Sequence, residues 1–283
     1  MRKSIATATA VILGTFGVAT AVGEFQHGEQ GARPTGKYQL LDTSTQQFYV
    51  DSHPMHLSAS RTPYSFTTPS ARLYRFEVRH NDYGWRGDER NGTRRSELVS
   101  SGVRFKAGET LWTSFSFIVP ADQASFHADS GGDGYSLIHQ WHSVDGDDGP
   151  RGPVFGVELT GGNLNIITRS DRGGPGVKVT HFSMHRPIDG VPHHIVASGA
   201  LGKDGHLTVW LDGTVVVDGA TPIGYYRDDG GDRALAYPHW GIYEKNIREP
   251  AVVYHANIEF GIGDLSSRIT RPIHVEKPAG GWT

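Results

Sequence analysis

Leu111-Trp112-Thr113-Ser114-Phe115-Ser116-Phe117-Ile118-Val119, closed by Pro120, alternates with period two. Leu111, Thr113, Phe115, Phe117 and Val119 fall on one side of an extended chain, and Trp112, Ser114, Ser116 and Ile118 on the other. Aromatic and β-branched side chains suit such a pleat, and Pro120 lacks the N–H that a sheet ladder would need. Similar runs recur at 73–79, 94–100, 136–142, 154–159, 164–169, 194–200, 206–211, 237–245 and 252–260. Turn residues such as Gly161-Gly162, the stretch 171–174 and Lys203-Asp204-Gly205 separate them. The clearest hairpin joins Thr208-Val209-Trp210-Leu211 to Val215-Val216-Val217 across Asp212-Gly213, a pair that accepts the positive φ angles of a tight type I′ turn. About ten strands without crossover helices predict an all-β fold: an antiparallel β-sandwich of jelly-roll, concanavalin-like form with a concave face for an extended polymer. Neither an internal repeat nor a second core is expected.

Composition narrows the function. The chain has 283 residues, 37% hydrophobic and 20% charged, which excludes disorder. With no Cys, thiol nucleophiles, thiolate zinc sites, iron–sulfur clusters and disulfides are all excluded. A formal net charge of −3 gives no basic field for nucleic acid or for an anionic membrane surface. Arg2-Lys3, the uncharged run Ile5 to Gly23 and the small residues Ala19-Thr20-Ala21 have the order of a secretory signal peptide. An uncleaved membrane anchor is the competing reading, disfavoured because Ala, Thr and Gly are weakly apolar. The expected organisation is therefore a signal peptide over 1–21, a Gly-rich linker over 22–36 and one domain over 37–283 of a secreted, monomeric protein with no membrane contact after signal removal.

Three strands carry co-facing polar residues. Arg95 and Glu97 share a face in Arg94-Arg95-Ser96-Glu97-Leu98-Val99-Ser100. A guanidinium fork binds a carboxylate through two parallel hydrogen bonds, and a neighbouring carboxylate can orient it. The bland alternative is an ion pair on a solvated face. However, the segment from Arg72 to Lys106 holds nine Lys and Arg against five Asp and Glu, which suits an acidic ligand. In Tyr135-Ser136-Leu137-Ile138-His139-Gln140-Trp141-His142-Ser143, strict alternation sets Ile138, Gln140 and His142 on one face and His139 and Trp141 on the other. An amide donor then lies beside an imidazole able to take a proton near neutral pH. In Tyr237-Pro238-His239-Trp240-Gly241-Ile242-Tyr243-Glu244-Lys245, the residues Tyr237, His239, Gly241, Tyr243 and Lys245 share one side while Trp240 and Ile242 point to the core. Gly241 is expected to leave room for a ligand to approach the backbone.

These segments resemble the three signature strands of the jelly-roll polysaccharide lyases, the alginate, glucuronan and heparin lyase group. Arg95-Ser96-Glu97-Leu98 is similar to their Arg-Ser/Thr-Glu-Leu, Gln140-Trp141-His142 to Gln-Ile-His, and Tyr237-Pro238-His239-Trp240-Gly241-Ile242-Tyr243 to Tyr-Phe-Lys-Ala-Gly-Val-Tyr. The chain departs from the alginate enzymes at Val99-Ser100, where they carry a further Arg, and at His239, where they carry Lys. The Trp-Gly-Ile-Tyr run is closer to the glucuronan and heparin lyase branch.

The resemblance implies β-elimination on a uronate-containing polysaccharide: loss of the C5 proton and expulsion of the C4 oxygen. It assigns Arg95 and Gln140 to the sugar carboxylate and His142 and Tyr243 to proton transfer, with His239 a third candidate base. Neutralising the carboxylate is what makes the C5 proton removable. Glu97, Tyr237, His239, Lys245, Trp85 and Arg86 are the expected substrate-binding residues. A glycoside hydrolase would need two carboxylates flanking the bond, and Glu97 is the one acidic residue within the three signatures. The stronger rival is a non-catalytic glycan-binding module on the same fold. No cofactor and no catalytic metal are expected, with a structural Ca²⁺ left open near Asp145 to Asp148.

Overall fold

A computed structural model describes residues 47–50, 53–100, 104–123, 134–143, 152–171, 176–185, 190–225, 235–246 and 250–282. The expected signal peptide, the linker and the segment Asp145 to Asp148 lie outside the described residues. Among the described residues fifteen strands occur in the order β1 (Gln47–Val50), β2 (His53–Ala59), β3 (Phe66–Ser70), β4 (Leu73–Val78), β5 (Thr93–Ser100), β6 (Thr110–Ile118), β7 (Tyr135–Ser143) and β8 (Pro153–Thr160), then β9 (Asn163–Ser170), β10 (Val177–His185), β11 (His193–Ala200), β12 (His206–Leu211), β13 (Thr214–Ala220), β14 (Ala236–Lys245) and β15 (Ala251–Gly261). A short helix α1 (Arg86–Asn91) precedes β5, and α2 (Ser267–Thr270) follows β15.

One sheet runs β1-β2-β5-β14-β7-β8-β9-β10 and the other β13-β12-β11-β6-β15-β4-β3, with every pairing between these strands antiparallel. The fold is the expected all-β jelly-roll sandwich. The expectation of about ten strands falls short because β1, β2, β3 and β10 lack a clear pattern. Pro54 and Pro69 interrupt β2 and β3, and β10 lies at a sheet edge with much of its length exposed. The hairpin forms as read, with Asp212 at φ 50° and Gly213 at φ 80°.

The two sheets close on one core. Leu111, Phe115, Phe117 and Val119 meet Trp141, Phe155, Trp240 and Ile242 from the facing sheet. A second, smaller apolar cluster corrects the expectation of a single one. Leu73, Ile118, Val252, Tyr254 and Ala256 lie on the other side of the seven-stranded sheet, packed by Val275 and Trp282 of the C-terminal segment. Ile118 lies at the end of a Ser-rich face, and the residues that pack against its cluster, Val275 and Trp282, come more than 150 residues later.

Two irregularities set the face of the eight-stranded sheet turned away from the core. On β7 the pairing with β8 shifts between Leu137 and His139, so Ile138 enters the core beside His139 and Trp141. This corrects the expected co-facing of Ile138 with Gln140 and His142, because a bulge breaks strict alternation. On β14 the pairing with β7 shifts between Trp240 and Tyr243, where Gly241 adopts φ 137°. A Cβ on Gly241 would sit 2.8 Å from Glu97 Cα, 2.9 Å from Phe76 Cδ1 and closer still to the Ser96 carbonyl oxygen. The glycine is therefore required by the approach of β5, not by that of a ligand.

Candidate active site

Register brings the three signature strands side by side, with β14 between β5 and β7. His239 is paired with Val99 and Gln140, Gly241 with Glu97, Tyr243 with Arg95 and Leu137, and Tyr237 with His142. Arg95, Glu97, Gln140, His142, Tyr237, His239, Tyr243 and Lys245 thus share the outward face. Glu97, Gln140 and His239 are only 2%, 2% and 4% exposed although they point away from the core, so this face is a furrow with depth.

Arg95 is held by a residue that the sequence reading missed. Asp88, fully buried in α1, accepts from Arg95 Nε at 2.8 Å and Nη2 at 2.6 Å. It also accepts from the Trp85 backbone N–H at 3.0 Å and from Thr93 Oγ1 at 3.0 Å. Arg95 Nη1 lies 3.6 Å from Glu97 Oε2, and the guanidinium carbon sits 4.6 Å from the Tyr243 ring centroid. Burial works against the charge of Arg95, but Asp88 and Glu97 more than offset it and keep the group protonated. No strand pattern points to Asp88. The available signal is its place in the first turn of a short helix just before the Arg95 strand.

Glu97 lies beneath the furrow as an organiser. Gln140 Nε2 donates to its Oε1 at 2.6 Å, and His239 Nδ1 lies 3.4 Å from the same oxygen. Burial pushes the Glu97 carboxyl up, yet His239, Arg95 and Gln140 outweigh burial and hold it below its usual range. The second N–H of the Gln140 amide remains available to a ligand.

His142 stacks on His239 with ring centroids 5.3 Å apart. Its Nδ1 lies 2.6 Å from the Ser143 carbonyl oxygen, so the N–H sits there and Nε2 carries the lone pair. Burial, then the charge of His239, pushes the His142 imidazole down to about 4, so it is neutral at neutral pH. Tyr237 flanks it with Oη 3.4 Å from Nδ1, and Arg104 covers the Tyr237 ring at 4.1 Å.

Tyr135 is the second residue missed. The β7 bulge turns it to the furrow, 6.0 Å from Tyr243 between ring centroids. Burial and a hydrogen bond to Tyr243 raise its pKa, so Tyr135 keeps its proton and donates to the Tyr243 oxygen. Trp85 is 44% exposed with its indole 5.8 Å from the Arg95 guanidinium carbon, at the rim of the site. Arg86 is exposed on α1 and, among the described residues, makes no hydrogen bond or ion pair with the furrow. Lys245 is half-buried at the end of β14, level with Tyr135. His139 is a core residue, against Phe115 and Trp240. His193 and His194 are engaged by Asp212 and Ser116, far along the other sheet. Among the described residues no group of three His, Asp or Glu is arranged to hold a metal ion.

A family model described as polysaccharide lyase matches residues 43–259, which includes every strand that lines this furrow. The chain belongs to that family of polysaccharide lyases. The lyase is also similar to solved structures. One is a family 7 alginate lyase in complex with substrate: TM-score 0.53, 15% identity, 71% of this chain and 83% of that one. A product complex of a family 7 alginate lyase gives 0.52 and 14%, over 71% and 85%. An endo-β-1,4-glucuronan lyase from the fungus Trichoderma reesei gives 0.49 and 13%, over 79% and 93%. At these identities the likeness concerns the fold. No curated protein matches the lyase in sequence.

Proposed function

We propose that this lyase is secreted and cleaves a uronate-containing, glucuronan- or heparin-like polysaccharide by β-elimination. The observation that carries the reading is the convergence of Arg95, Gln140, His142 and Tyr243 from three adjacent strands on one recessed face. A non-catalytic glycan-binding module would have no need of a neutral imidazole on the same recessed face as a paired phenol.

Arg95, with two nitrogens engaged by Asp88, presents Nη1 to the sugar carboxylate, and the free N–H of Gln140 adds a second donor. Both donors are held by carboxylates before substrate arrives, so little reorganisation is needed as negative charge moves onto the sugar carboxylate. Nε2 of His142 then takes the C5 proton, a role that its neutral state at pH 7 permits. As the C4–O bond breaks, Tyr243 delivers its proton to the leaving oxygen. The phenolate that remains is stabilised by the Tyr135 hydroxyl and by the Arg95 guanidinium over its ring. His239, set over Glu97 with Nδ1 3.4 Å from Oε1 and stacked on His142, orients the imidazole. Tyr237, Lys245 and Trp85 line the path of neighbouring sugars, with Arg86 further out on α1.

The test is the far-ultraviolet absorbance of unsaturated uronate, followed on glucuronan, heparin, heparan sulfate, hyaluronan and alginate. Absorbance should rise on glucuronan or a heparin-type polymer, and be lost in Tyr243→Phe and in His142→Gln. A rise confined to alginate overturns the substrate assignment; a rise undiminished in either variant overturns the proton-transfer assignment.

A further inference from the structure

Arg169 stands on β9, three strands from β14, in a position that the catalytic arrangement does not use. On β9 Leu164 and Ile166 enter the core, and Arg169 keeps the parity of Asn165 on the furrow side. Among the described residues its Nη1 is buried and has no hydrogen-bond partner. Tyr225 converges on the same spot. A Cβ placed on Gly152 would lie 3.4 Å from Tyr225 Oη, 3.6 Å from Arg169 Cδ and 3.9 Å from Arg169 Nε. A guanidinium and a phenol oxygen therefore border a small space that a side chain at 152 would narrow. The charge of Arg169 also reaches Tyr135, the phenol that donates to Tyr243, which ties the space to the reacting centre.

Two other cations on this face are held by carboxylates. Arg95 is held by Asp88, and Lys178 bonds both oxygens of the buried Glu158 at 2.7 and 2.9 Å. An N–H donor buried without an acceptor is unfavourable until an acceptor completes it, and a carboxylate fits the guanidinium fork best.

We propose that Arg169, assisted by Tyr225, is a second carboxylate site, holding a uronate further along the polymer from the one at Arg95. The proposal rests on the reading of the substrate as a polyuronate, in which successive sugars carry a carboxylate. Four inter-strand steps separate β9 from β5, the strand of Arg95, about 19 Å, which a few linked sugars can bridge. The site takes a sugar carboxylate as its ligand, and it makes a longer anionic chain a better substrate than a short one.

The experiment compares wild type, Arg169→Gln, Arg169→Lys and Tyr225→Phe on the cleaved polymer and on its shortest cleaved oligosaccharide. Arg169→Gln should raise KM for the polymer about 10- to 100-fold, the loss expected for a hydrogen bond to a charged group, with kcat within about two-fold. It should also flatten the dependence of KM on salt and leave KM for the shortest oligosaccharide little changed. Arg169→Lys, which keeps charge without the fork, should fall between, and Tyr225→Phe should raise KM a few-fold. A cooperative melt with polymer KM unchanged in both Arg169 variants overturns the proposal, as does a loss confined to kcat. Should Arg169→Gln fail to fold, unchanged KM in Arg169→Lys and Tyr225→Phe overturns it equally. If the wild type neither cleaves nor, as Tyr243→Phe, binds any polyuronate, the substrate reading itself has failed. Cleavage with unchanged KM marks failure of the second site alone.

Discussion

Replacing Asp88 by Asn tests the clamp on Arg95 directly. The Asp88 carboxylate accepts from Arg95 Nε and Nη2, from the Trp85 N–H and from Thr93 Oγ1, and is fully buried. Asn keeps the shape but turns one acceptor oxygen into an NH₂ that faces donors on either side, and it leaves the Arg95 charge with Glu97 alone, 3.6 Å from Nη1. Breaking one partner of a buried ion pair costs about 3–5 kcal/mol. For a domain of roughly this size each kcal/mol lowers the melting midpoint by about 2–4 °C, so a fall of about 6–20 °C is expected. A guanidinium released by about 1 Å should also lower kcat/KM by about 100-fold at temperatures where the variant is folded. Thermal melts by circular dichroism and initial rates from unsaturated-uronate absorbance measure the two effects. A midpoint within 2 °C of wild type and kcat/KM within about two-fold would refute the argument that Asp88 holds Arg95.

Gly241→Ala should cost about 3 kcal/mol or more, because its Cβ meets β5 backbone at a φ of 137° that side chains rarely adopt, and a urea melt would reveal it. Acid should destabilise the lyase between about pH 6.5 and 4. Unfolded imidazoles gain a proton near 6.5, whereas burial holds His142 down to about 4 and His255 down to about 3, so the unfolded chain binds more protons across that window and stability falls with pH. Urea midpoints at pH 7 and pH 5 check the sign, with a loss of at most about 1.4 kcal/mol per histidine per pH unit, and an unchanged midpoint counts against it. Removing residues 272–283 should uncover the cluster of Leu73, Ile118, Val252, Tyr254 and Ala256 from Val275 and Trp282. The truncated lyase should melt several degrees lower while keeping KM, since the furrow is on the other sheet.

Alternation of apolar and polar side chains is a local property, so the sequence by itself determined the sandwich, the Asp212-Gly213 hairpin and the face of β5 and β14 that carries Arg95, Glu97, Tyr237, His239 and Tyr243. Gln140 and His142 follow from the same rule, because both lie on the C-terminal side of the β7 bulge. Ile138 and Tyr135 do not. A bulge inserts one residue and reverses the parity of everything before it, and no period in the sequence announces where that happens. Asp88 was hidden for a different reason: its partner is seven residues away across a helix and a turn, a contact that exists only once α1 packs beside β5. Arg169 and Tyr225 meet through the pairing of β9 with neighbouring chain more than 50 residues away. Residue spacing along one strand thus specified which groups share a face, while tertiary structure decided which charge each group meets, because strand register and burial are set by contacts between segments distant in sequence.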